Sequence, residues 1–104
     1  MYIGQKEWTA KGRELFGDDK ENWLFVCPAC GNVEGIVTAR RDHQDVKGKG
    51  WSPAEECIGR YTTKVNCDWA AYGLFRGPLI VIAEDDGREI PAFDFAGRPF
   101  TGKE

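Results

Sequence analysis

A short cysteine motif at residues 27–31, C-P-A-C-G, constrains the fold of this chain more than any other feature. Two thiols separated by two residues, on a tight turn that ends in glycine, are typical of a knuckle that grips one tetrahedral metal ion. Such a turn directs backbone N–H groups at the sulfurs, which helps to keep them deprotonated. A complete site needs a second pair of ligands, and the two remaining cysteines are Cys57 and Cys67.

The sequence therefore predicts one structural Zn²⁺ per chain, bound by Cys27, Cys30, Cys57 and Cys67. The second half of the pattern, C-x9-C, is irregular, because most zinc ribbons carry a second C-x2-C. Tetrahedral geometry constrains the sulfurs and not the chain between them, so Cys57 and Cys67 are still expected to converge. Four thiolates fill the coordination shell and leave no position for a catalytic water. His43, the single histidine, is the rival ligand; we interpret it as a solvent-exposed bystander, and its replacing a cysteine stays open.

Length and composition support the metal over a disulfide. The 104 residues suffice for one domain, residues 1–104, and no apolar run approaches a membrane span. The first eleven residues lack the apolar core of a signal peptide, so we expect a cytoplasmic protein. Cysteines in a reducing cytoplasm bind metals more often than they form disulfides. Disulfides, free thiols and a redox role of the C-x2-C pair remain the alternatives.

Helices are predicted in two or three places. Residues 5–16 read as a short helix that ends at Gly17. Ser52 and the proline and glutamate that follow it fit a capping box, so a second helix is expected over residues 53–58, carrying Cys57. Residues 34–38 are read as a strand that returns from the cysteine knuckle; alternatively, Thr38 caps a helix through residue 46.

Strands are expected around the knuckle and at the C-terminus. The aromatic and β-branched run 22–26 leads directly into Cys27. Residues 61–65 and 68–75 look extended, and residues 79–95 form a hairpin with Asp86-Gly87 at its tip. The expected fold is α+β: a small zinc-ribbon-like antiparallel sheet with a C-terminal β-hairpin and two or three short helices.

No catalytic constellation is present, so we do not expect an enzyme: one histidine without a nucleophile and an orienting partner makes no triad. Charge points instead to binding. The net charge is −3, and five acidic residues against one basic residue lie between Glu84 and Asp94. The candidate partner-binding residues, expected to face a basic protein surface, are Glu84, Asp85, Asp86 and Glu89.

A second surface offers the alternative of nucleic-acid binding. Aromatic side chains, Trp51 and Tyr61 among them, are interspersed with basic residues and offer stacking platforms for bases. The core is the competing place for these rings, above all for Trp23, Trp69 and Phe75. The residues of this candidate patch are Arg40, Arg41, Lys47, Lys49, Arg60 and Lys64.

Four stretches together carry a resemblance: WLFVCPACG at 23–31, ECIGR at 56–60, CDWAAYGLF at 67–75 and DGREIPAFDF at 86–95. They resemble a family of small proteins found in bacteriophages and prophage regions. The resemblance spans most of the chain and includes all four cysteines, whereas residues 36–51 look peculiar to this sequence. It brings no activity with it, but it implies a phage accessory protein in a bacterial cytoplasm.

The resemblance shifts the functional expectation toward binding. Small acidic phage accessory proteins often bind host proteins, and some block defence nucleases such as CRISPR effectors. We therefore expect a zinc-stabilised protein that binds a host protein and possesses no activity of its own. A nucleic-acid-binding zinc ribbon is the alternative, and the oligomeric state stays open.

Overall fold

The computed structural model describes residues 1–46, 50–72 and 77–97. These residues form two α-helices and two three-stranded sheets, so the α+β class predicted from the sequence is confirmed. The elements are β1 (Tyr2–Gly4), α1 (Gln5–Phe16), β2 (Phe25–Val26), β3 (Val33–Glu34), α2 (Ile36–Asp42), β4 (Leu79–Ile82), β5 (Glu89–Ala92) and β6 (Asp94–Phe95).

The first sheet has the strand order β1-β4-β5 and is mixed. Strands β4 and β5 form the expected hairpin: Val81 lies opposite Ile90, and Asp86-Gly87 lies at the connecting turn. Strand β1 pairs with β4 in parallel, so the prediction of a purely antiparallel sheet is wrong here. A three-residue strand at the N-terminus carries no alternation long enough to be recognised, and its pairing depends on a contact with a distant part of the chain (Tyr2 with Ile80).

The second sheet has the strand order β3-β2-β6 and is antiparallel throughout. The cysteine knuckle joins β2 to β3, as the sequence predicts. The hairpin predicted over residues 79–95 ends at Ala92 instead. The last two residues of the predicted range form β6, in which Phe95 pairs with Phe25 of β2 and not with β4. The chain thus passes from the first sheet to the second at Phe93, which is buried between them.

Helix α1 has the predicted bounds and covers an aromatic core. Trp8 packs edge-on against Trp23, with 5.4 Å between ring centroids, and lies at the same distance from Phe95. The Trp23 indole N–H donates to the carbonyl of Gly17 (2.8 Å). Gly12 lies where the helix meets the Trp23 ring, and a Cβ at this position would overlap that ring. Trp23 therefore fills the core, as the sequence suggests.

Between α2 and β4 the described chain runs mostly through turns. The helix expected over residues 53–58 is absent: the Ser52 carbonyl accepts from the N–H groups of Glu55 and Glu56, and this single turn is not continued. Glu56 instead forms an antiparallel bridge with Ala70, which commits its backbone to another segment. Residues 61–65 lie mostly in turns, so their extended assignment is wrong. Within residues 68–72 the pairing is limited to the bridge at Ala70, and a turn follows at 71–72; the rest of the predicted strand, residues 73–75, lies outside the described residues.

Helix α2 settles the two alternatives left open for residues 34–46. Strand β3 ends at Glu34, and the helix begins at Ile36 with Gly35 as its N-cap. Thr38 occupies the third helical position, and its hydroxyl accepts from the Gly35 N–H (2.9 Å). A separate 3₁₀ turn follows at Gln44–Val46. Across the described parts of the chain, none of the helices has the length and apolar character required to traverse a bilayer.

Candidate metal centre

The four cysteines come together at one point of the fold. Their sulfurs all lie within 4.8 Å of one another, although the residues are spread over 40 positions of the chain. The Sγ atoms of Cys27 and Cys67 are 3.8 Å apart, and those of Cys30 and Cys57 are 3.7 Å apart. The sequence-predicted ligand set is therefore assembled, and none of its members lies elsewhere.

These distances fit a tetrahedral thiolate site. The two measured separations are opposite edges of a tetrahedron, because they share no sulfur. A metal ion about 2.3 Å from each of four sulfurs requires edges of about 3.8 Å. Disulfides would instead need sulfurs about 2.05 Å apart, and all four cysteines are free. The residues present thus fit a bound metal ion, whose natural candidates are the ions that prefer four soft sulfur ligands.

The first half of the site is preorganised by the β2–β3 turn. The Cys27 N–H donates to the Asn32 carbonyl (3.0 Å), and the Gly31 N–H donates to the Cys27 carbonyl (2.8 Å). Gly31 has a φ of 77°, a conformation that favours glycine, and this closes the turn. Backbone N–H groups of Cys30 and Ala29 point at the Cys27 sulfur. This is the arrangement that the C-P-A-C-G motif predicts.

The second half depends on tertiary pairing. The Cys57 N–H donates to the Trp69 carbonyl (3.0 Å), and the bridge between Glu56 and Ala70 lies beside it. Because this pairing holds the two segments side by side, Cys57 and Cys67 face the same point. Cys57 has extended backbone angles and precedes a 3₁₀ turn at Ile58–Arg60, so its predicted position on a helix is wrong.

Burial makes the ionisation of two of the four thiols dependent on a bound cation. Cys27 and Cys57 are buried, whereas Cys30 is exposed. Burial raises the pKa of the Cys27 and Cys57 thiols. Burial also tends to raise the pKa of Cys30. Hydrogen bonds from the backbone N–H of Asn32 and from the three other thiols outweigh this effect, so the pKa of Cys30 is lowered. Buried thiols ionise when a metal ion supplies the compensating charge, so binding a metal here displaces protons.

Comparison with known proteins identifies the family of this chain. The family model of VVA0879-like proteins matches residues 4–96. The chain belongs to the VVA0879-like family. Neither the curated proteins nor the solved structures contain a significant match. The matched range includes all four cysteines and both helices, so the candidate metal centre of this VVA0879-like protein lies within the region that the family model covers.

His43 is not part of the metal centre. Its Nε2 lies 3.0 Å from Oε1 of Glu34, and the two side chains are only 11% and 10% exposed. Thr38 donates its hydroxyl hydrogen to the other oxygen of Glu34 (2.5 Å). The expectation of a solvent-exposed bystander is therefore wrong: His43 closes the C-terminal end of α2 onto the end of β3. A histidine among five charged or amide neighbours gives no sequence sign of this pairing.

A carboxylate beside Cys57 is a feature that the sequence did not reveal. Glu56 is buried, and its Oε2 accepts from the hydroxyls of Tyr61 (2.5 Å) and Tyr72 (2.8 Å). Arg60 lies 3.4 Å from the same oxygen. The Trp51 indole N–H donates to the Glu56 carbonyl (2.8 Å), which fixes one of the rings considered as a stacking platform. This cluster holds the second half of the metal centre together.

The candidate nucleic-acid patch is not assembled as a free basic surface. Arg40 forms a bidentate pair with Glu21 (3.0 and 2.8 Å), and Arg41 forms one with Asp42 (both 2.8 Å). Arg60 donates to the Asp68 carbonyl (2.8 Å) and lies over the Tyr72 ring. Lys64 lies in a turn, and Lys47 and Lys49 fall outside the described residues. Each described arginine of this patch is thus already matched with a negative group.

The candidate acidic surface lies at one end of the first sheet. Glu84, Asp85 and Asp86 form the exposed turn between β4 and β5, and Glu89 begins β5. The Asp86 carboxylate accepts from the Arg88 N–H (2.9 Å), which lowers its pKa and keeps it ionised. Lys6 of α1 lies 3.7 Å from Glu84, with both side chains at least half exposed. The four acidic residues predicted from the sequence therefore share one surface.

Proposed function

We propose that the four cysteines hold one structural Zn²⁺ and that the chain acts by binding another protein. The observation that carries the first part is the cluster of four sulfurs, in which the separations of 3.8 Å (Cys27 to Cys67) and 3.7 Å (Cys30 to Cys57) match the edges of a zinc–thiolate tetrahedron. A zinc ion with four protein ligands has no open position for a substrate or an activated water. The metal would then stabilise the fold, and the protein surface would bind the partner.

The zinc-ribbon-like part of the proposal rests on the second sheet. Strands β2 and β3 form a short hairpin whose turn carries the first ligand pair, and the second pair is supplied by the segment that bridges Glu56 to Ala70. The strands of this sheet are only two residues long and pair over two positions each, so a metal ion that joins their connecting turn to a distant segment would add to the stability of the sheet.

The acidic turn between β4 and β5 is the surface proposed to bind. Asp85 and Asp86 project from the end of the sheet, where an exposed turn can enter a groove of a partner. Carboxylates that remain ionised attract a basic surface, steer its approach and fix its register. The resemblance to phage proteins suggests a host protein in the bacterial cytoplasm, and a defence nuclease such as a CRISPR effector is the first candidate to test.

The nucleic-acid alternative is less well supported. Phosphate binding requires cations that are free to replace the counterions condensed on the nucleic acid, and Arg40 and Arg41 are already engaged by carboxylates. Tyr61 and Tyr72 donate their hydroxyl hydrogens to Glu56, so their rings are held beside the cysteine that follows it, Cys57. Lys47 and Lys49 of the predicted patch lie outside the described residues.

A single binding assay separates the two functions. Immobilised protein is exposed to a bacterial lysate and to a purified CRISPR effector nuclease, with and without nuclease treatment of the lysate. The paired variant Asp85→Lys, Asp86→Lys is expected to lose partner binding, while Arg40→Ala, Arg41→Ala is expected to retain it. Zinc content, which should be equal in all samples, controls for folding. If only the variant Arg40→Ala, Arg41→Ala lost binding, and the affinity of wild type fell steeply with salt, the partner would be a nucleic acid instead.

A further inference from the structure

A cavity of about 170 Å³ opens between helix α1 and the first sheet. Its lining includes Gln5 and Trp8 from the helix, Glu55 from the turn that precedes the metal-binding segment, and three side chains of the sheet, Val81, Ile90 and Ala92. The cavity is large enough for several heavy atoms, since one water occupies about 30 Å³ in the liquid.

The walls of this cavity are apolar. Val81 and Ile90 lie directly opposite each other across β4 and β5, so their side chains are on the same face of the sheet. Trp8 and Ile90 pack at the edge of the buried cluster on this face. The indole N–H of Trp8 is buried and has no hydrogen-bond partner among the described residues.

One charged group lines these walls. Glu55 is half-buried, and among the described residues its carboxylate has neither a hydrogen-bond donor nor a basic partner. Its neighbour Glu56, by contrast, is satisfied by two tyrosines and an arginine. A carboxylate held against apolar walls is costly unless a cation joins it. The cavity therefore favours a ligand that combines an apolar stem with a positive head.

One hydrogen bond links the cavity lining to the acidic turn. The Gln5 side-chain oxygen accepts from the Glu84 backbone N–H (2.9 Å), so the rim of the cavity is bonded to the start of that turn. A basic partner drawn to Asp85 and Asp86 would thus arrive beside the opening. Negative charge is thus present both on the exposed turn and on Glu55 in the cavity lining.

We propose that this cavity receives one arginine side chain of the protein partner, an inference that rests on the proposed protein-binding function. Arginine fits better than lysine for two reasons. Its planar guanidinium pairs with a carboxylate through two parallel hydrogen bonds and stacks on an aromatic ring, and Glu55 and Trp8 offer these two groups. Guanidinium is also more weakly hydrated than ammonium, so it enters an apolar cavity at lower cost.

The cavity is tested directly by titrating the zinc-loaded protein with N-acetyl-arginine amide and following the indole N–H resonances by NMR. We expect a saturable shift of the Trp8 resonance, and none for Trp51, which lies in a different cluster. N-acetyl-lysine amide should bind more weakly, and N-acetyl-norleucine amide, which lacks the charge, should produce no saturable shift. Equal shifts with the norleucine compound, or no shift at all with the arginine compound, would overturn the proposal.

Glu55→Gln provides the matched variant. It removes the charge at nearly constant shape, and no hydrogen bond of the described fold depends on that carboxylate. We expect the affinity for N-acetyl-arginine amide to fall by about tenfold, the loss of one charge-assisted contact. Glu7→Gln, which removes an exposed charge from the same helix as Trp8, should leave the affinity unchanged. Similar affinities for wild type and Glu55→Gln would contradict the role of Glu55.

The partner assay distinguishes this proposal from the proposed function. If wild-type protein binds its partner and Glu55→Gln binds about tenfold more weakly, both stand. If the two bind equally, the cavity is not the arginine site, although protein binding remains. If wild type binds no protein partner, the proposed function fails, and the titration with N-acetyl-arginine amide still decides whether the cavity binds arginine.

Discussion

The backbone of Gly59 packs directly against the carbonyl oxygen of Cys67, so closely that a Cβ on Gly59 would overlap it. Gly59 follows one ligand, Cys57, by two residues and directs its N–H at that sulfur. The contact between Gly59 and Cys67 therefore sets how closely the second pair of ligands can approach. Any side chain at position 59 would push the two cysteines apart.

Gly59→Ala is accordingly expected to weaken metal binding. Displaced supporting groups typically lower metal affinity by about 10–100-fold, and we expect a loss in this range. Competition with a chromophoric zinc chelator measures it. Gly4→Ala is the control, since a Cβ there has no atom within 4 Å. Equal zinc affinity in Gly59→Ala and wild type would show that the ligand pair does not depend on this contact.

Gly12→Ala should destabilise the protein, although alanine is the better helix former by about 1 kcal/mol. A Cβ at position 12 would overlap the Trp23 ring, which is almost completely buried. Forcing extra volume into a packed core costs about 1–3 kcal/mol. Urea unfolding of zinc-loaded protein measures the sign. An increase in stability, as helix propensity alone predicts, would mean that Trp23 is free to move aside.

His43→Ala should lower stability and leave the zinc content unchanged. The substitution leaves the buried Glu34 carboxylate without its imidazole partner, and losing one partner of a buried pair costs about 1–3 kcal/mol. Thermal unfolding measures the first effect and elemental analysis the second. Loss of zinc in His43→Ala would instead identify the histidine as a ligand, the alternative that the sequence left open.

The two tyrosines beside the metal centre should titrate abnormally. Hydrogen bonds to Glu56, together with burial and the charge of that carboxylate, raise the pKa of Tyr61 and Tyr72 above the ordinary value of 10.0. Their contribution to stability is present below the unfolded pKa and is lost as the pH rises through the raised folded values. Ultraviolet absorbance follows phenolate formation. Glu56→Gln should shift this ionisation to lower pH, and an unchanged curve would argue against the hydrogen bonds.

The features predicted correctly from the sequence are those that local chemistry determines. The bounds of α1 follow from a short amphipathic run that stops at Gly17, and the β4–β5 hairpin follows from an apolar run, Asp86-Gly87 and a returning strand. The C-P-A-C-G turn is closed by backbone hydrogen bonds among residues 27–32. All three arise from interactions between residues that are close in the chain.

The errors arise where distant segments compete for the backbone. Residues 53–56 have good helix-capping chemistry, yet Glu56 pairs with Ala70 and Phe93 donates its N–H to the Ala54 carbonyl (2.6 Å). These bonds outweigh the propensity of a four-residue segment, because short helices gain little on their own. The parallel partner of β1 also lies far along the chain, whereas the pair of His43 and Glu34 joins side chains nine positions apart; no local pattern records either contact.

The central claim is the zinc centre, and the metal content of purified protein tests it most directly. Elemental analysis should give one zinc ion per chain, since four thiolates form one tetrahedral site. Cys30→Ser removes a ligand from the exposed side of the site and should lower both the zinc content and the unfolding temperature, because metal binding here contributes to folding. Metal-free protein with the same unfolding curve as the zinc-loaded form would contradict the account.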